Sequence, residues 1–370
     1  MAQNLKQELG SFPFCRWNAS VRIEKLRKIA VKDNKQGNFA VFNPANIVYF
    51  TNFSGATALL IPEQGEGILF VSGTNYQQAK AEVKGFNVEL IKRGENVMQK
   101  IAQVISDGRL TIDTLPIETW RSLVKAVGGE EKLEPAFGLF RKLREVKEPG
   151  EIALIRQACK IADSGIKAAA ETIRPGITQR EIAAEAEYAM RKSGSDGVAF
   201  ETIVSAGVCC AFPHGTSMNR TVEEGDFVTV DLGAIQQFYR SDITRTFIVG
   251  KPTDKQKNVY QAVQSAHQRA LEKIVPNVLA SKVDWAAWRT IDKAGYGDFF
   301  VHNLGHGVGL EVHEWPVLGP DSKDVLQAGN VVTNEPGIYI PEFGGVRIED
   351  TILITDRGAE KLTNAPILTP

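Results

Sequence analysis

Three of the five histidines in this chain of 370 residues lie close together, namely His302, His306 and His313. Gly305 and Gly307 flank His306, so the backbone can bend tightly there and leave the imidazole uncrowded. His302 and His306 have the spacing of helical metal motifs, but the glycines argue against a helix. The segment is therefore predicted to be extended or looped and to present His306 to a site. A tight turn around one satisfied core histidine is the alternative.

Two aspartates flank a predicted hairpin upstream of the histidines. Asp231 lies near the end of an apolar, β-prone run, and Asp242 lies near the start of the next. A tight loop at Gln236 and Gln237 would place Asp231 directly opposite Asp242, with Cβ atoms about 5 Å apart. Opposed carboxylates repel each other unless a cation lies between them, so this register predicts a cation site. Gln-Gln is a poor tight-turn pair, and the register is a hypothesis.

A second pair of acids follows the histidines, because a loop centred on Glu342 would place Glu335 opposite Glu349. Four carboxylates and the His306 imidazole form an oxygen-rich donor set. Such a set suits two hard-to-borderline divalent cations better than calcium alone or a structural zinc. The alternative is that these acids are solvated charges or surface ion pairs, the usual state of Asp and Glu. Asp231 and Glu349 end strongly apolar strands, which favours the metal site.

The two remaining histidines are assigned separately. His214 lies between Pro213 and Gly215, in a loop before the first carboxylate strand. A histidine held there could donate a hydrogen bond to a substrate or shuttle a proton, and its position alone leaves this choice open. His267 falls in a helical pattern and is assigned to the surface or to packing.

The composition is that of an ordinary globular protein. Hydrophobic residues make up 43% and charged residues 24%, and the formal net charge is −1. This balance gives no electrostatic reason to expect nucleic acid or an anionic membrane as a partner. The four cysteines form no C-x-x-C pair, and neither a signal peptide nor a membrane-spanning run is recognisable. We therefore expect a cytoplasmic protein.

The elements that position these residues fall into two predicted domains, residues 1–141 and 142–370. After an irregular start at residues 1–18, the first domain alternates strands with helices, which predicts an α/β fold. Its strands are predicted at 39–42, 47–50, 56–61, 67–71 and 87–90. Its helices are predicted at 20–30, 75–83, 96–106 and 117–126. No phosphate loop or dinucleotide fingerprint occurs in it, so it is assigned no chemistry.

The second domain has two helices followed by sheet, and then repeats that order. Capping boxes at residues 178–181 and 253–256 open two of the helices. Helices are predicted from 149 to 174, from 178 to 193, from 253 to about 275 and at 283–293. Strands are predicted at 201–205, 226–233, 238–250, 331–333, 337–340 and 345–355. The repeat predicts a pseudo-symmetric α+β domain of two related halves.

Six motifs, in this order, resemble those of the pita-bread metallopeptidases, and specifically the Xaa-Pro branch of prolidases and proline-specific aminopeptidases. The motifs lie at residues 230–233, 241–246, 304–310, 312–316, 334–339 and 345–350. Residues 43–55 resemble the creatinase-type N-terminal domain, with less specific motifs. The resemblance implies a creatinase-like α/β domain followed by a pita-bread catalytic domain.

The resemblance also implies roles for individual residues. The metal ligands would be Asp231, Asp242, His306, Glu335 and Glu349. They would hold two divalent ions, Mn²⁺ or Co²⁺ first and Zn²⁺ or Fe²⁺ as alternatives, with a bridging hydroxide that attacks the carbonyl before proline. Glu335 would also carry a proton, His214 and His313 would steady the oxyanion or the leaving nitrogen, and His302 and Arg347 would hold the substrate.

Two residues depart from the family pattern without removing a ligand. Asn303 stands where prolidases usually have a small residue, and Asn334 stands where many relatives have an apolar one. Both departures are expected to affect the shape of the pocket more than the activity.

Three other members of this fold remain alternatives. Methionine aminopeptidases share the five ligands but usually lack a separate N-terminal domain. Creatinases share both domains but not the metal set, and non-enzymatic relatives that bind histones or other proteins typically lose ligands. The expected partners are short proline-containing peptides and a second copy of the chain in a homodimer. The motifs do not separate a prolidase from an aminopeptidase P.

Overall fold

The computed structural model describes residues 18–35, 37–105, 109–215 and 217–367. The irregular start predicted for residues 1–18 lies outside these ranges except at its last residue. The chain divides into two compact units, Met1–Leu143 and Arg144–Pro370. Among the described helices, none is long and apolar enough to cross a membrane.

The first unit is an α/β domain whose described residues form one mixed sheet of six strands. The strands are β1 (Asn38–Val41), β2 (Ala58–Ile61), β3 (Ile68–Ser72), β4 (Asn87–Ile91), β5 (Leu110–Ile112) and β6 (Leu133–Pro135). Their order is β4-β3-β2-β1-β5-β6, and β2 pairs antiparallel with both of its neighbours while the other pairs are parallel. The helices are α1 (Ala19–Lys32), α2 (Pro44–Thr51), α3 (Tyr76–Glu82), α4 (Val97–Ile105), α5 (Ile117–Val127) and α6 (Phe137–Glu145).

The strand predicted at residues 47–50 is wrong, because these residues belong to helix α2. The Asn43 side chain caps this helix by accepting from the backbone N–H groups of Ala45 at 2.8 Å and Asn46 at 3.2 Å. Pro44 occupies the first turn, where its missing N–H costs nothing. The apolar run that follows is buried on all sides, so its periodicity could not distinguish a helix from a strand.

The second unit contains two pairs of long helices and the strands between and after them. The helices are α7 (Pro149–Thr172), α8 (Gln179–Lys192), α9 (Asp254–Leu271) and α10 (Ala280–Lys293). The first group of strands is β7 (Gly197–Val198), β8 (Ile203–Ala206), β9 (Phe227–Leu232), β10 (Ala234–Gln236), β11 (Tyr239–Arg240) and β12 (Ile243–Ile248). The second is β13 (Gly305–Gly307), β14 (Glu314–Leu318), β15 (Val331–Asn334), β16 (Gly337–Ile340), β17 (Gly344–Arg347), β18 (Asp350–Thr355) and β19 (Gly358–Lys361).

Side-chain caps begin two of these helices where the sequence predicts them. The Thr178 hydroxyl accepts from the Glu181 N–H at 3.2 Å, while the Glu181 carboxylate accepts from the Thr178 N–H at 2.9 Å. The same reciprocal box joins Thr253 and Gln256 at the start of α9. Both capping boxes are therefore confirmed, and α9 ends at Leu271, a few residues before its predicted end.

Each helix pair packs on its own sheet, which confirms the predicted pseudo-symmetric arrangement. Helices α7 and α8 cover the sheet β12-β9-β8, and residues such as Ile166, Ile182 and Val230 form a buried cluster between them. Helices α9 and α10 contribute to a second cluster, with the sheet β14-β13-β15-β18-β19. Burial of a large aliphatic side chain contributes about 1.5–3 kcal/mol, so these two cores hold the strands that carry the acidic residues.

Candidate metal centre

Asp231 and Asp242 come from the first hairpin, but they are not opposite each other. Asp231 on β9 pairs with Thr244 on β12, so the predicted register is wrong. The loop consists of Gln237 and Phe238, one residue further along the chain, and both have positive φ (45° and 73°). Positive φ at both positions is typical of the two-residue loops that match the twist of the strands.

The corrected register still brings the two aspartates onto one face of the hairpin. Because Thr244 lies opposite Asp231 and two residues after Asp242, the carboxylates are diagonal neighbours instead of direct partners. Asp231 is 9% exposed and Asp242 is 4% exposed. The hairpin therefore delivers two buried carboxylates to one site.

The second hairpin has the predicted register. Asn334 pairs with Asp350 where β15 meets β18, and Gly337 pairs with Arg347 where β16 meets β17. Both pairs centre the turn on Glu342, whose φ is 62°. This places Glu335 opposite Glu349 in the short gap between the two ladders.

His306 lies on β13, in extended backbone as predicted. Its Nδ1 is 3.0 Å from the Gly307 carbonyl oxygen, which places the proton on Nδ1 and turns Nε2 toward the acids. A Cβ at Gly305 or at Gly307 would lie 2.2 Å from a backbone oxygen, of Thr333 or Trp315 respectively. Only glycine fits at both positions, so the strand can pass close enough to present the imidazole.

Three of the predicted ligands converge at one point. One ligand atom each of Asp242, His306 and Glu349 lies within 4.8 Å of the others. The Nε2 atom of His306 is 3.2 Å from Glu335 Oε1 and 3.7 Å from Asp242 Oδ2. The Glu335 charge helps to raise the pKa of Asp231, and the Asp231 charge helps to raise the pKa of both Asp242 and Glu349, after burial in each case. All five predicted ligands thus belong to one cluster.

The pKa directions reflect this crowding. Burial and then the neighbouring carboxylates raise the pKa of Asp242 and Glu349 well above their ordinary values. Burial disfavours the charged form of Glu335 too, but its contact with His306 outweighs this and lowers its pKa to about 2. One imidazole and one guanidinium are too few protein cations to compensate three buried carboxylates and a half-buried one.

The cluster fits divalent metal ions on the chemistry of its donors. Asp231 Oδ1 is buried, and within the described chain no group donates a hydrogen bond to it. A buried carboxylate oxygen without a partner is costly unless a cation approaches it. Four carboxylates and one imidazole are the ligands preferred by first-row ions such as Mn²⁺ and Co²⁺.

Threonine hydroxyls, which the sequence did not single out, orient two of these acidic side chains and hold the backbone of a third. Thr244 Oγ1 donates to Glu349 Oε2 at 2.6 Å, and Thr333 Oγ1 donates to Glu335 Oε1 at 2.9 Å. Thr351 Oγ1 donates to the Asp242 carbonyl oxygen at 2.7 Å. Thr244 lies within one of the six motifs, whereas Thr333 and Thr351 each lie one residue outside a motif, and only the cross-strand pairing shows which acid each one contacts.

Arg347 is buried behind the acids. Its Nη2 donates to Asp231 Oδ2 at 2.6 Å and its Nη1 to the Tyr339 hydroxyl at 2.7 Å. Its Nε donates to Thr244 Oγ1 at 3.1 Å, and Nη1 also donates to the Pro213 carbonyl oxygen at 3.2 Å. Four of its five N–H groups are therefore used within the protein.

The other predicted histidines surround the cluster. The His313 ring centre lies 4.3 Å from that of His306, and the side chain is exposed. His302 Nδ1 is 2.7 Å from the Asn303 carbonyl oxygen, so its Nε2 accepts from the Tyr339 hydroxyl at 2.8 Å. Burial lowers the pKa of both His302 and His313, which keeps them neutral near pH 7. His214 is exposed in the turn before Gly215.

A buried ionic network supports the strand that carries Glu349. Asp350, the next residue, accepts from Arg245 Nη2 at 2.7 Å and lies 2.7 Å from Lys361 Nζ. Its carboxylate is also 3.1 Å from Nε2 of His267, a buried helical histidine, which agrees with packing, one of the two roles predicted for it, and not with the surface. Burial disfavours the Asp350 carboxylate, but contacts with His267 and Arg245 lower its pKa.

Comparisons with known proteins match both units of the chain to described families. The profile of metallopeptidase family M24 matches residues 153–356, and that of the creatinase/prolidase N-terminal domain matches residues 22–146. The Xaa-Pro dipeptidase of Pyrococcus furiosus is 40% identical over 345 residues, which are 92% of this chain and 97% of that protein.

Solved structures give the same picture. The Xaa-Pro dipeptidase from Bacillus anthracis superposes with a TM-score of 0.89 at 35% identity, over 95% of this chain and 99% of that one. The X-Pro aminopeptidase from Thermotoga maritima superposes with a TM-score of 0.82, also at 35% identity, over 90% of this chain and 97% of that one. Similarity of this kind does not separate the two enzyme classes, since both occur at the same identity.

Proposed function

Because the chain belongs to metallopeptidase family M24, we propose that it hydrolyses the peptide bond between an N-terminal residue and proline in short peptides. The observation that carries the proposal is the convergence of Asp242, His306 and Glu349 within 4.8 Å. The names of its relatives, Xaa-Pro dipeptidase and X-Pro aminopeptidase, supply the substrate class. The proposal covers both an Xaa-Pro dipeptidase and an Xaa-Pro aminopeptidase.

Two divalent ions are proposed to occupy the cluster, with Mn²⁺ or Co²⁺ ahead of Zn²⁺ or Fe²⁺. Their ligands would be Asp231, Asp242, His306, Glu335 and Glu349. When bound, such ions act as Lewis acids and lower the pKa of water, which supplies a nucleophile at neutral pH. The chain's own part is to hold the ligands in position, since Arg347, Thr244 and Thr333 orient their carboxylates by hydrogen bonds.

Glu335 is proposed to carry the proton in the reaction. Its Oε1 accepts from Thr333 Oγ1 at 2.9 Å and lies 3.2 Å from His306 Nε2, so its orientation is fixed. Its lowered pKa keeps it ionised at neutral pH, so it can accept a hydrogen bond from the attacking water, and bound metal ions would acidify that water enough for its proton to pass to the carboxylate. The proton then passes to the proline nitrogen as the carbon–nitrogen bond breaks.

The surrounding histidines are proposed to act on the substrate. His313 is neutral and exposed beside His306, so its ring N–H can donate to the oxygen of the carbonyl under attack. We assign His214, from the neighbouring loop, to that oxygen or to the leaving nitrogen, and His302 to the wall that holds the substrate. Arg347 would act on the substrate by positioning Asp231 and Tyr339, its two closest partners.

The alternative functions have less support. A methionine aminopeptidase-like activity would not require the N-terminal domain that matches residues 22–146. A non-enzymatic binding module would have no need to keep all five ligand positions. A homodimer and a cytoplasmic location remain predictions from the sequence, and light scattering after size-exclusion chromatography would test the first.

The direct test removes and restores the metal. We expect the protein, stripped with a chelator and dialysed, to lose hydrolysis of an Ala-Pro dipeptide and of an Ala-Pro-Ala tripeptide. Mn²⁺ or Co²⁺ should restore at least one of these activities. Unchanged cleavage of the peptides in the stripped protein, or none in the loaded protein, would contradict the proposal.

Asp242→Asn tests the ligand assignment. The amide keeps the size of the side chain but removes the charge shared by the cluster, so we expect bound metal to fall and kcat/KM to drop at least about 100-fold. Metal content is measured by elemental analysis on the same sample. Asp254→Asn, at a side chain that is 99% exposed, is the control and should keep the normal metal content and the normal kcat/KM. Normal metal content in Asp242→Asn would refute the ligand role.

A further inference from the structure

A cavity of about 600 Å³ lies in the second unit and shares His302 with the candidate metal centre. Helix α10 contributes Trp285 and Trp288 to one wall, and the segment before β13 contributes Phe300 and Asn303 to the other. Cavities of about 300–1,000 Å³ accommodate small ligands, and peptide side chains are of that scale. Apart from His302, no residue in the mechanism above uses this space.

The walls of this cavity are unusually apolar for a surface. Trp285 is 53% exposed, Trp288 is 38% exposed and Val301 is 63% exposed. The guanidinium carbon of Arg289 lies 4.8 Å from the Trp285 ring centre, which orients the indole. Clustered exposed aromatic side chains around a concavity mark a binding site, because indole rings bury a large area at small entropic cost.

A short chain of contacts joins the cavity to the acids. His302 accepts from the Tyr339 hydroxyl at 2.8 Å, and that hydroxyl accepts from Arg347 Nη1 at 2.7 Å. Arg347 in turn donates to Asp231 at 2.6 Å. A peptide bound at the acids is therefore only a few side chains away from the two tryptophans.

Charge decides which end of a peptide fits the cavity. A peptide carries a negative charge at its carboxylate end, and a positively charged surface attracts that end. Lys282 lines the cavity and is exposed, and Arg289 stacks at its edge. The acid of the cavity, Asp284, is buried and accepts from the Leu304 N–H at 2.9 Å. The accessible charge is thus positive, which favours the C-terminal part of a peptide.

Asn303 contributes to the same wall. A Cβ at Gly319 would lie 2.5 Å from Asn303 Oδ1, so the amide lies directly against that glycine. This is the position at which the sequence departs from the prolidase pattern. Because Asn303 lines the cavity, this difference from the prolidase pattern changes the wall that a substrate would contact.

We propose that this cavity is a subsite for the residue that follows proline, and that it selects an aromatic or large apolar side chain at that position. The proposal rests on the Xaa-Pro peptidase function proposed above. The side chain would lie between Trp285 and Trp288, with Phe300 beneath it and Lys282 near a free C-terminal carboxylate. The chain would therefore cleave Xaa-Pro-Phe more efficiently than Xaa-Pro-Ala.

The first test compares substrates on the metal-loaded enzyme. We expect kcat/KM for Ala-Pro-Phe to exceed that for Ala-Pro-Ala by about tenfold, because a phenyl ring would be partly buried. In the Trp285→Ala/Trp288→Ala variant this ratio should fall to about one. Tyr188→Ala removes an aromatic side chain that is 64% exposed elsewhere on the unit, and should leave the ratio unchanged.

A second test needs no turnover. The product-like peptides Pro-Phe and Pro-Ala are titrated into the metal-free protein while its tryptophan fluorescence is recorded. We expect Pro-Phe to change the emission and to bind about tenfold more tightly than Pro-Ala. The double tryptophan variant should show neither effect.

Several results would overturn the subsite. Equal kcat/KM for Ala-Pro-Phe and Ala-Pro-Ala in the wild type would refute it while leaving the proposed function intact. If the two tryptophans instead determine which first residue of the peptide is preferred, the cavity binds the Xaa side chain. If the double variant loses a dimer that the wild type forms, while the kcat/KM ratio of Ala-Pro-Phe to Ala-Pro-Ala is unchanged, this face is a subunit interface and the subsite is refuted. Failure to cleave any Xaa-Pro peptide would refute the proposed function, and the subsite with it.

Discussion

At the scale of single residues, the second unit places four carboxylates close together with few positively charged side chains nearby. Asp231, Asp242 and Glu349 are buried, Glu335 is half-buried beside them, and the nearby protein cations are Arg347 and, when protonated, His306. Burial alone would strongly disfavour so many carboxylates. Their persistence in one cluster is explained by divalent ions, which would also satisfy the Asp231 oxygen that has no hydrogen-bond donor among the described residues.

Asp284 provides a pH test at this scale. Burial raises its pKa to about 6, above the ordinary value of about 3.9 for Asp. Between these values the folded protein binds the proton more tightly than the unfolded chain does, so stability falls as pH rises through this window. Asp284→Asn keeps an acceptor for the Leu304 N–H without the charge.

We expect Asp284→Asn to raise the melting temperature by about 2–4 °C at pH 8, equivalent to about 1 kcal/mol, and to have little effect at pH 4. Thermal unfolding followed by circular dichroism at both pH values measures this. Asp356→Asn, on an exposed turn, is the control and should show no such difference between the two pH values. The same shift at pH 4 and pH 8 would contradict the raised pKa.

At the scale of elements, the first hairpin depends on its turn. Gln237 and Phe238 have left-handed backbone angles, and the Gln237 N–H donates to Asp196 Oδ2 at 2.6 Å. These two features set the pairing of β9 with β12, and with it the distance between Asp231 and Asp242. Neither residue is a common choice for such a turn.

A single substitution in this turn should therefore raise or lower the free energy of unfolding. Gln237→Asn should stabilise the protein by about 0.5 kcal/mol, since Asn tolerates positive φ, while the β-branched Gln237→Val should destabilise it by about 1 kcal/mol or more. Urea unfolding of the two variants against the wild type measures the difference. Gln236→Asn and Gln236→Val, at the end of β10, are the matched controls. Equal stability of the two Gln237 variants would show that the turn does not control the hairpin.

At the scale of the whole molecule, the centre joins elements that are distant in the sequence. Its acids come from two hairpins, its imidazole from β13, and both helix pairs of the second unit pack behind these strands. All five proposed ligands belong to this unit. Metal binding should therefore stabilise the second unit as a whole.

We expect Mn²⁺ to raise the melting temperature of the stripped protein in a concentration-dependent way. An ion that binds only the folded state adds about 2.7 kcal/mol when its free concentration is 100 times its dissociation constant. Differential scanning calorimetry at several Mn²⁺ concentrations measures the shift, and Mg²⁺ at the same ionic strength is the control because it accepts imidazole poorly. A melting temperature independent of Mn²⁺ would argue against the site.

Much of this molecule follows from local sequence. The glycines around His306, the capping boxes of α8 and α9 and the turn at Glu342 depend on neighbouring residues, and each lies where it is predicted. The motifs that contain the five proposed ligands are likewise recognisable without coordinates. For such features the physical cause is short-range, because a cap, a turn or a tight strand is decided within a few positions.

Other features depended on contacts between distant residues. The loop at Gln237 is held by Asp196, some forty positions earlier, so the register of Asp231 could not be read from the hairpin alone. Helix α2 is buried on every side, so no periodicity in its sequence distinguishes it from a strand. The cavity beside His302 exists because α10 and the segment before β13 fold together, and no spacing in the sequence shows this. The sequence by itself thus determined which residues could do the chemistry, and the tertiary structure decided which of them meet, since long-range packing is set by the whole chain.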